Sequence, residues 1–277
     1  MRIELRDVTY RYPDGTTALS DINLSVARGE FLGLLGANGS GKTTLLGVMD
    51  GLVRDYRGSV LLDGAEIRGL SARAIYSRMG LVFQNPDSQL FATTVAEDVG
   101  FGPRNMGFDR AEVERRVVDA LAAVDMSDSL NRNINSLSYG QKKRICIAGL
   151  LAMGHEILLM DEPTAGLDPM GEYRMMDLLR KLNKDQGVTV VMATHSVDLV
   201  PLFLSRLYIL SHGRIKRGGT PEEVFTMPGE MSDVKLRLPH IAELIWKMKH
   251  EDGVQFKRLP LTVGEARRMI LEKLGQE

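Results

Sequence analysis

At 277 residues, 44% hydrophobic and 26% charged with a formal net charge of −1, the chain has a soluble globular make-up, with room for one large domain or two modest ones. That balance argues against a nucleic-acid or polybasic lipid-binding surface, and the single cysteine, Cys146, excludes an intrachain disulfide and fits a reducing cytoplasm. Met1–Leu5 lacks the apolar core of a signal peptide, and no apolar run approaches the ~18–20 residues a bilayer span needs.

Residues 2–10 alternate, Ile3, Leu5 and Val8 against Arg2, Glu4, Arg6 and Asp7, before Pro13-Asp14-Gly15 turns the chain. A second strand near Ala18–Val26 predicts an antiparallel β layer. Tyr12 lies just before the turn, and by spacing alone a cross-strand aromatic is favoured over one that stacks on a base. Glu30–Leu35 is a short apolar strand, followed by Gly36-Ala37-Asn38-Gly39-Ser40-Gly41-Lys42-Thr43 and a helix beginning Thr43-Thr44-Leu45. This is G-x-x-x-x-G-K-[ST] with both of its required flanks. Its glycines let backbone N–H groups approach a polyphosphate and adopt positive φ. The helix start adds about half a positive charge there. Lys42 is expected at the β- and γ-phosphates and the Thr43 hydroxyl at Mg²⁺, so the chain is expected to bind a nucleoside triphosphate.

Further along, Gly58–Gly64 predicts a strand ending in a turn, and Met79–Gln84 another strand bounded by Asn85-Pro86-Asp87. Gln84 is either an ordinary loop glutamine or a ligand for Mg²⁺ or an attacking water. A helix is expected over 109–124, with Asp109 and Glu112 as a capping box and Val113, Val117, Leu121 and Val124 as its core stripe. Leu137-Ser138-Tyr139-Gly140-Gln141 precedes a helix expected from Lys142 to about Met153, and makes a second potential anion site. Lys142-Lys143-Arg144 reads as a solvated face.

Glu156–Glu162 is four apolar residues ending in Asp161 and Glu162, the pattern of a buried parallel strand with acids at its carboxyl end. Asp161 suits Mg²⁺, and Glu162 is placed to orient or deprotonate water beside the γ-phosphate. Asp168-Pro169 caps a helix with Met175, Leu179 and Leu182 as core. Val188–Thr194 is a β-branched strand with His195 at its end, so the phosphate loop, the acid pair and His195 converge on one sheet edge. Strand, turn and strand follow over 206–219, and Thr220-Pro221-Glu222-Glu223 opens a short helix with a capping box. In the tail, Ile241, Leu244, Ile245 and Met248 form one stripe, and Ala266, Met269, Ile270 and Leu274 another behind a Thr262–Glu265 cap. Both stripes call for a partner surface, either the body of the protein or a second copy.

With these residues placed, the chain resembles the ATP-binding cassette ATPases over residues 1 to about 225. The resemblance rests on the phosphate loop, Gln84 as the Q-loop, Leu137–Gln141 as the signature and Ile157–Glu162 as Walker B. Ala165-Gly166-Leu167-Asp168 is similar to the D-loop, and His195 to the switch histidine. It implies an α/β P-loop fold: a parallel-sheet core of the RecA kind, an antiparallel β subdomain, a helical subdomain at about 85–155, and a C-terminal extension at 226–277. It also makes Tyr12 the adenine-stacking aromatic, reversing the reading from spacing. The family's signature most often reads Leu-Ser-Gly-Gly-Gln, and here Tyr139 replaces the first glycine.

The resemblance implies ATP and Mg²⁺ as ligands, and a head-to-tail dimer with a second copy or a paralogous ATPase. In that dimer Ser138 and Gly140 would complete the partner's site, with Gln141 and Asp168 beside them. Gly36, Asn38, Gly39, Ser40, Gly41, Lys42, Thr43 and Thr44 would hold the phosphates. Gln84–Phe91 and Glu97–Pro103 are similar to the cobalt and energy-coupling-factor ATPases, which drive membrane subunits from the cytoplasmic face to import transition-metal ions or vitamins. A soluble cassette ATPase of DNA repair or translation is the competing reading. The DNA-repair kind carries a long coiled-coil insertion between loop and signature, where this chain has fewer than a hundred residues, and the translation kind has two cassettes. A GTPase lacks support, because Asn183-Lys184-Asp185-Gln186 places Asp one position early for Asn-Lys-x-Asp. The five histidines and Cys146 show no metal-ligand spacing.

Overall fold

The computed structural model describes residues 1–225 and 228–275, and sorts their strands into two sheets. The strands are β1 (Ile3–Arg11), β2 (Thr17–Val26), β3 (Phe31–Leu35), β4 (Arg57–Leu62), β5 (Ala65–Glu66), β6 (Met79–Val82), β7 (Ile157–Asp161), β8 (Thr189–Thr194), β9 (Arg206–Ser211) and β10 (Arg214–Gly219). One sheet is antiparallel, in the order β2-β1-β4-β5; the other runs β10-β9-β3-β8-β7-β6. Its five strands from β9 to β6 are parallel, and β10 closes the edge antiparallel to β9.

Burial follows from that layout. Every residue of β3, β6, β7 and β8 is buried, because a parallel sheet is covered on both faces. Side chains alternate between two cores: Leu158, Met160 and Val190 join the helices, while Ile157, Leu159 and Val191 meet the antiparallel sheet and the helix Lys42–Met49. The helix Arg110–Ala123 presents Val113, Val117 and Leu121 to the first core, with Val124 just beyond it, as their spacing predicts.

Several expectations need correction. Phe83 and Gln84 lie outside β6, which ends at Val82. Arg2, placed with the polar residues of the alternation, precedes β1 and is buried, 6% exposed, where it bridges the carboxylates of Asp63 and Glu156. Asp109 does cap its helix, but Glu112 does not reach back, since its carboxylate is taken by Arg115 and Arg116. At Thr262 the reciprocal bond is also missing, because Glu265 accepts from the backbone of Leu261 instead.

The residues 226–227 at which the extension is expected to begin, and 276–277 at its end, lie outside the described residues. Within it, the helices His240–His250 and Val263–Leu274 bury Ile245 and Ala266 against each other with Phe256, and Leu238, Ala242 and Leu261 join the main core. So the stripes find their partner surface within this chain. Leu244 is an exception at 52% exposed. The buried face centres between Ala242 and Ile245, on the order of 100° around the helix from Leu244. Leu274, in the final turn of the last helix, is exposed as well.

Asp50, at the C-terminus of the helix Lys42–Met49, is 4% exposed and its Oδ1 has no hydrogen-bond partner. Burial raises its carboxyl to about 7, and the helix end also disfavours negative charge. A raised folded-state value means stability present at low pH and lost as pH rises from about 4 through about 7. The penalty on the ionised form reaches at most about 4 kcal/mol. Asp50→Asn is expected to abolish that slope and to be more stable than the parent at pH 8, measured by denaturant midpoints across this range.

Candidate active site

The carboxyl ends of four adjacent parallel strands build the site. β3 delivers the loop from Gly36, β8 delivers His195, β7 delivers Asp161 and Glu162, and β6 leads to Gln84. Two glycines of the loop have no substitute. A Cβ on Gly36 would overlap the carbonyl of Leu210 and the hydroxyl of Ser40, and Gly41 sits at φ 106 with the carbonyl of Ala18 2.7 Å from its would-be Cβ. Lys42 is 6% exposed and donates to the carbonyls of Gly36 (2.8 Å) and Ala37 (3.2 Å).

Glu162 is the meeting point. It holds φ 49, a left-handed conformation unusual for a side-chain-bearing residue. Its Oε1 lies 3.5 Å from Lys42 Nζ and its Oε2 2.9 Å from His195 Nδ1. Beside it, Thr43 donates its hydroxyl to Asp161 Oδ2 at 2.8 Å. Desolvation raises the Asp161 carboxyl, the Thr43 bond opposes that, and the nearby Glu162 charge adds to it. Asp161 Oδ1 is buried without a partner. That orphaned oxygen, with the Thr43 hydroxyl and Gln84 on the same cavity, fits Mg²⁺, which takes one or two carboxylates and leaves its other positions to phosphates and water.

The cavity itself measures about 500 Å³ and also takes in Tyr12, Asn38, Gly39 and Thr44. Tyr12 is 42% exposed; its hydroxyl is hydrogen-bonded to that of Thr44 at 2.7 Å and its ring meets Tyr10 edge-on. The Tyr12 ring is therefore left partly open to the cavity. The sequence reading missed Thr16, Thr17, Ala18, His212 and Gly213, which line the same cavity. The His212-Gly213 turn was visible, but its docking was not: Gly213 donates to Ser40 O (3.0 Å) and accepts from Ser20 N (2.7 Å), joining the two sheets over the loop.

Ser138, Gly140, Gln141 and Asp168 do not reach this cavity. They line a second one, also of about 500 Å³, with Tyr139, Gly166 and Arg174. The helix there runs Tyr139–Met153, starting three residues earlier than predicted, because Ser138 and Gln141 form a reciprocal capping box. Asp168 caps the next helix by accepting from Gly171 N at 2.9 Å.

The expected solvated face at 142–144 is wrong. Lys142 reaches Asp87 (2.6 Å), Arg144 reaches the Val124 carbonyl (3.0 Å), and Lys143 is 1% exposed. Burial lowers the Lys143 ammonium to about 8, with the Glu162 charge pushing back. No periodicity signals this, since all its hydrogen-bond partners are backbone carbonyls of a turn about twenty residues away.

A protein-family model described as "ABC transporter" matches residues 19–165. A Geobacter sulfurreducens protein, named only as a candidate ABC transporter ATP-binding protein, is 71% identical over 98% of both chains. The energy-coupling factor transporter ATP-binding protein EcfA of Methanococcus maripaludis is 47% identical over 99% of both. The solved structure of cbiO1 from Clostridium perfringens, part of the ABC transporter complex cbiONQ, superposes with a TM-score of 0.78 at 39% identity, over 88% of this chain and 98% of that one.

Proposed function

The chain belongs to the ABC transporter family, as an ATP-hydrolysing subunit of the energy-coupling-factor type, and on that footing we propose that it powers the import of cobalt or nickel ions. The observation that carries the reading is the divided site: phosphate loop, acids and His195 on one cavity, Ser138 and Gly140 on another. A single γ-phosphate can use both only if two subunits pair head to tail. Lys42 and the loop amides then hold the phosphates, and Tyr12 offers its open face to the adenine. Thr43, Gln84 and Asp161 hold Mg²⁺, whose chemistry is to neutralise the phosphate oxygens. Glu162 takes the proton of the attacking water, and His195 keeps water and γ-phosphate in register. Closure on ATP and reopening after hydrolysis supply the stroke.

Among the described residues no helix is long and apolar enough to cross a membrane. On this reading the stroke is handed to membrane subunits at the cytoplasmic face. Segment 85–103 suits that role. Phe91 and Phe101 stand 64% and 44% exposed with their rings in edge-on contact at 4.7 Å, held by the Asp98 carboxylate accepting from Phe91 N and Ala92 N. Selection of the imported ion falls to the membrane subunits, and the cobalt assignment rests on the likeness of Gln84–Phe91 and Glu97–Pro103.

The test is purification from membranes with bound partners, then uptake assays for Co²⁺, Ni²⁺ and vitamins. Phe91→Asp is expected to leave the ATPase of the isolated protein within about twofold of the parent while the membrane subunits no longer co-purify. A parental chain that stays partnerless overturns the transporter reading, and uptake of a vitamin alone overturns the metal.

A further inference from the structure

Lys143 is among the largest fully buried side chains of the described residues, and it is a cation. Its ammonium donates to three carbonyls of one turn: Glu162 (2.9 Å), Pro163 (3.0 Å) and Ala165 (2.8 Å). An ammonium has three protons, so all of its donors are used. The turn it gathers is the one that puts Glu162 at φ 49 and leads into the D-loop. A buried charge is retained only where its geometry is well satisfied, and removing it leaves carbonyls without donors in an enclosed space.

Tyr139 completes the arrangement from one turn earlier on the same helix. Its ring centroid lies 5.2 Å from Lys143 Nζ. Its edge rests on Gly166, where a Cβ would come within 3.0 Å of Tyr139 Cε1. Its hydroxyl donates to the Gln84 carbonyl at 3.2 Å. The start of this helix, the Glu162 turn, the D-loop glycine and the Q-loop residue are therefore joined through two side chains. A glycine at 139 has no side chain with which to make any of Tyr139's three contacts.

We propose that Lys143 and Tyr139 are positioning residues that hold the Glu162 turn in register with the signature helix, so that the carboxylate is aimed correctly for water. The proposal rests on the reading of Glu162 as the general base. In the head-to-tail dimer it has a further consequence: Ser138, one residue before Tyr139, faces the partner's nucleotide, so the strut links the partner's ligand to this subunit's own base.

The experiment compares Lys143→Met, Tyr139→Leu, Tyr139→Phe and the Lys143→Met/Tyr139→Leu double variant with the full-length parent, measuring ATP affinity and steady-state kcat and KM. Affinity for ATP and KM are expected to stay within about twofold of the parent, because none of the phosphate-loop contacts is touched. A misaimed catalytic group loses up to ~100-fold, so kcat should fall on the order of 100-fold in Lys143→Met and ~10-fold in Tyr139→Leu. Tyr139→Phe keeps the ring and should stay within about threefold, as expected for one lost exposed hydrogen bond. Since both residues act through the same turn, the double variant should be no slower than Lys143→Met; two independent structural lesions would multiply.

A folded Lys143→Met protein with parental kcat overturns the proposal. So do parallel losses in affinity and kcat, or multiplying losses in the double variant. Should Lys143→Met not fold, Tyr139→Leu, a half-buried site, decides: parental kcat there is equally fatal. Glu162→Gln run alongside separates the two readings. If it hydrolyses ATP normally, the base assignment falls; if it is inactive while Lys143→Met is not, only the strut falls.

Discussion

Glu162→Gln is expected to bind ATP as tightly as the parent or tighter, and to hydrolyse it ~10²–10⁴-fold more slowly, the range for loss of a positioned general base. The reasoning starts from the contacts of the carboxylate. Oε1 faces Lys42 at 3.5 Å and Oε2 faces His195 at 2.9 Å, in a side chain only 7% exposed. Glutamine keeps the shape and one acceptor oxygen, so the turn at φ 49 and its backbone bond to the Ala193 carbonyl (3.0 Å) persist. What it removes is the group that can accept a proton, and with it a negative charge beside the γ-phosphate. Binding therefore gains by relief of repulsion while chemistry stops. In the proposed cycle, where hydrolysis reopens the pair, the variant should also accumulate as an ATP-bound dimer, seen as a doubled mass in sedimentation with ATP and not with ADP. Single-turnover hydrolysis at the parental rate would show that another group activates the water.

How far the sequence carried this depended on whether a contact is local. The phosphate loop, the acids ending β7 and the N-caps at Asp168 and Thr220 are each written within about ten residues, and each was readable in place. Their convergence was readable too, because parallel strands put their carboxyl ends on one edge. Lys143 was not readable. A basic triplet on a helix is ordinarily solvated, and nothing near it in the chain shows that three carbonyls at 162–165 wait for it. The same holds for Arg2, whose acids are 61 and 154 positions away. Capping boxes did not divide along that line: Ser138–Gln141 closed, whereas Glu112 was drawn off by Arg115 and Arg116 three and four positions along its own helix. The pairing of β1 with β4, and the seating of His212-Gly213 over Ala18, likewise come from tertiary packing that no period encodes.

Lys42→Ala should abolish ATP binding at working concentrations, and it should also change the apo protein in a way that can be measured separately. In the structure the ammonium donates to the Gly36 and Ala37 carbonyls and lies 3.5 Å from Glu162, which holds it at the centre of the loop. Exchanging those carbonyls for phosphate oxygens gives a charge-assisted contact in a mostly buried place. Truncating one partner of such a pair costs about 2–5 kcal/mol, or roughly a 30- to several-thousand-fold weaker Kd by titration calorimetry. The apo effect follows from the acids. Desolvation already raises the Asp161 carboxyl, with Glu162 adding to it and Lys42 and Lys143 opposing. Without Lys42 that carboxyl moves higher still. A folded-state value raised above the unfolded one contributes stability at low pH that is lost as pH rises through it. Lys42→Ala should therefore lose more stability at pH 8 than at pH 5, while the ATP affinity stays lost at both. Recovery of ATP binding on acidification would mean that repulsion between ATP and the two acids, and not the missing ammonium, had been the obstacle.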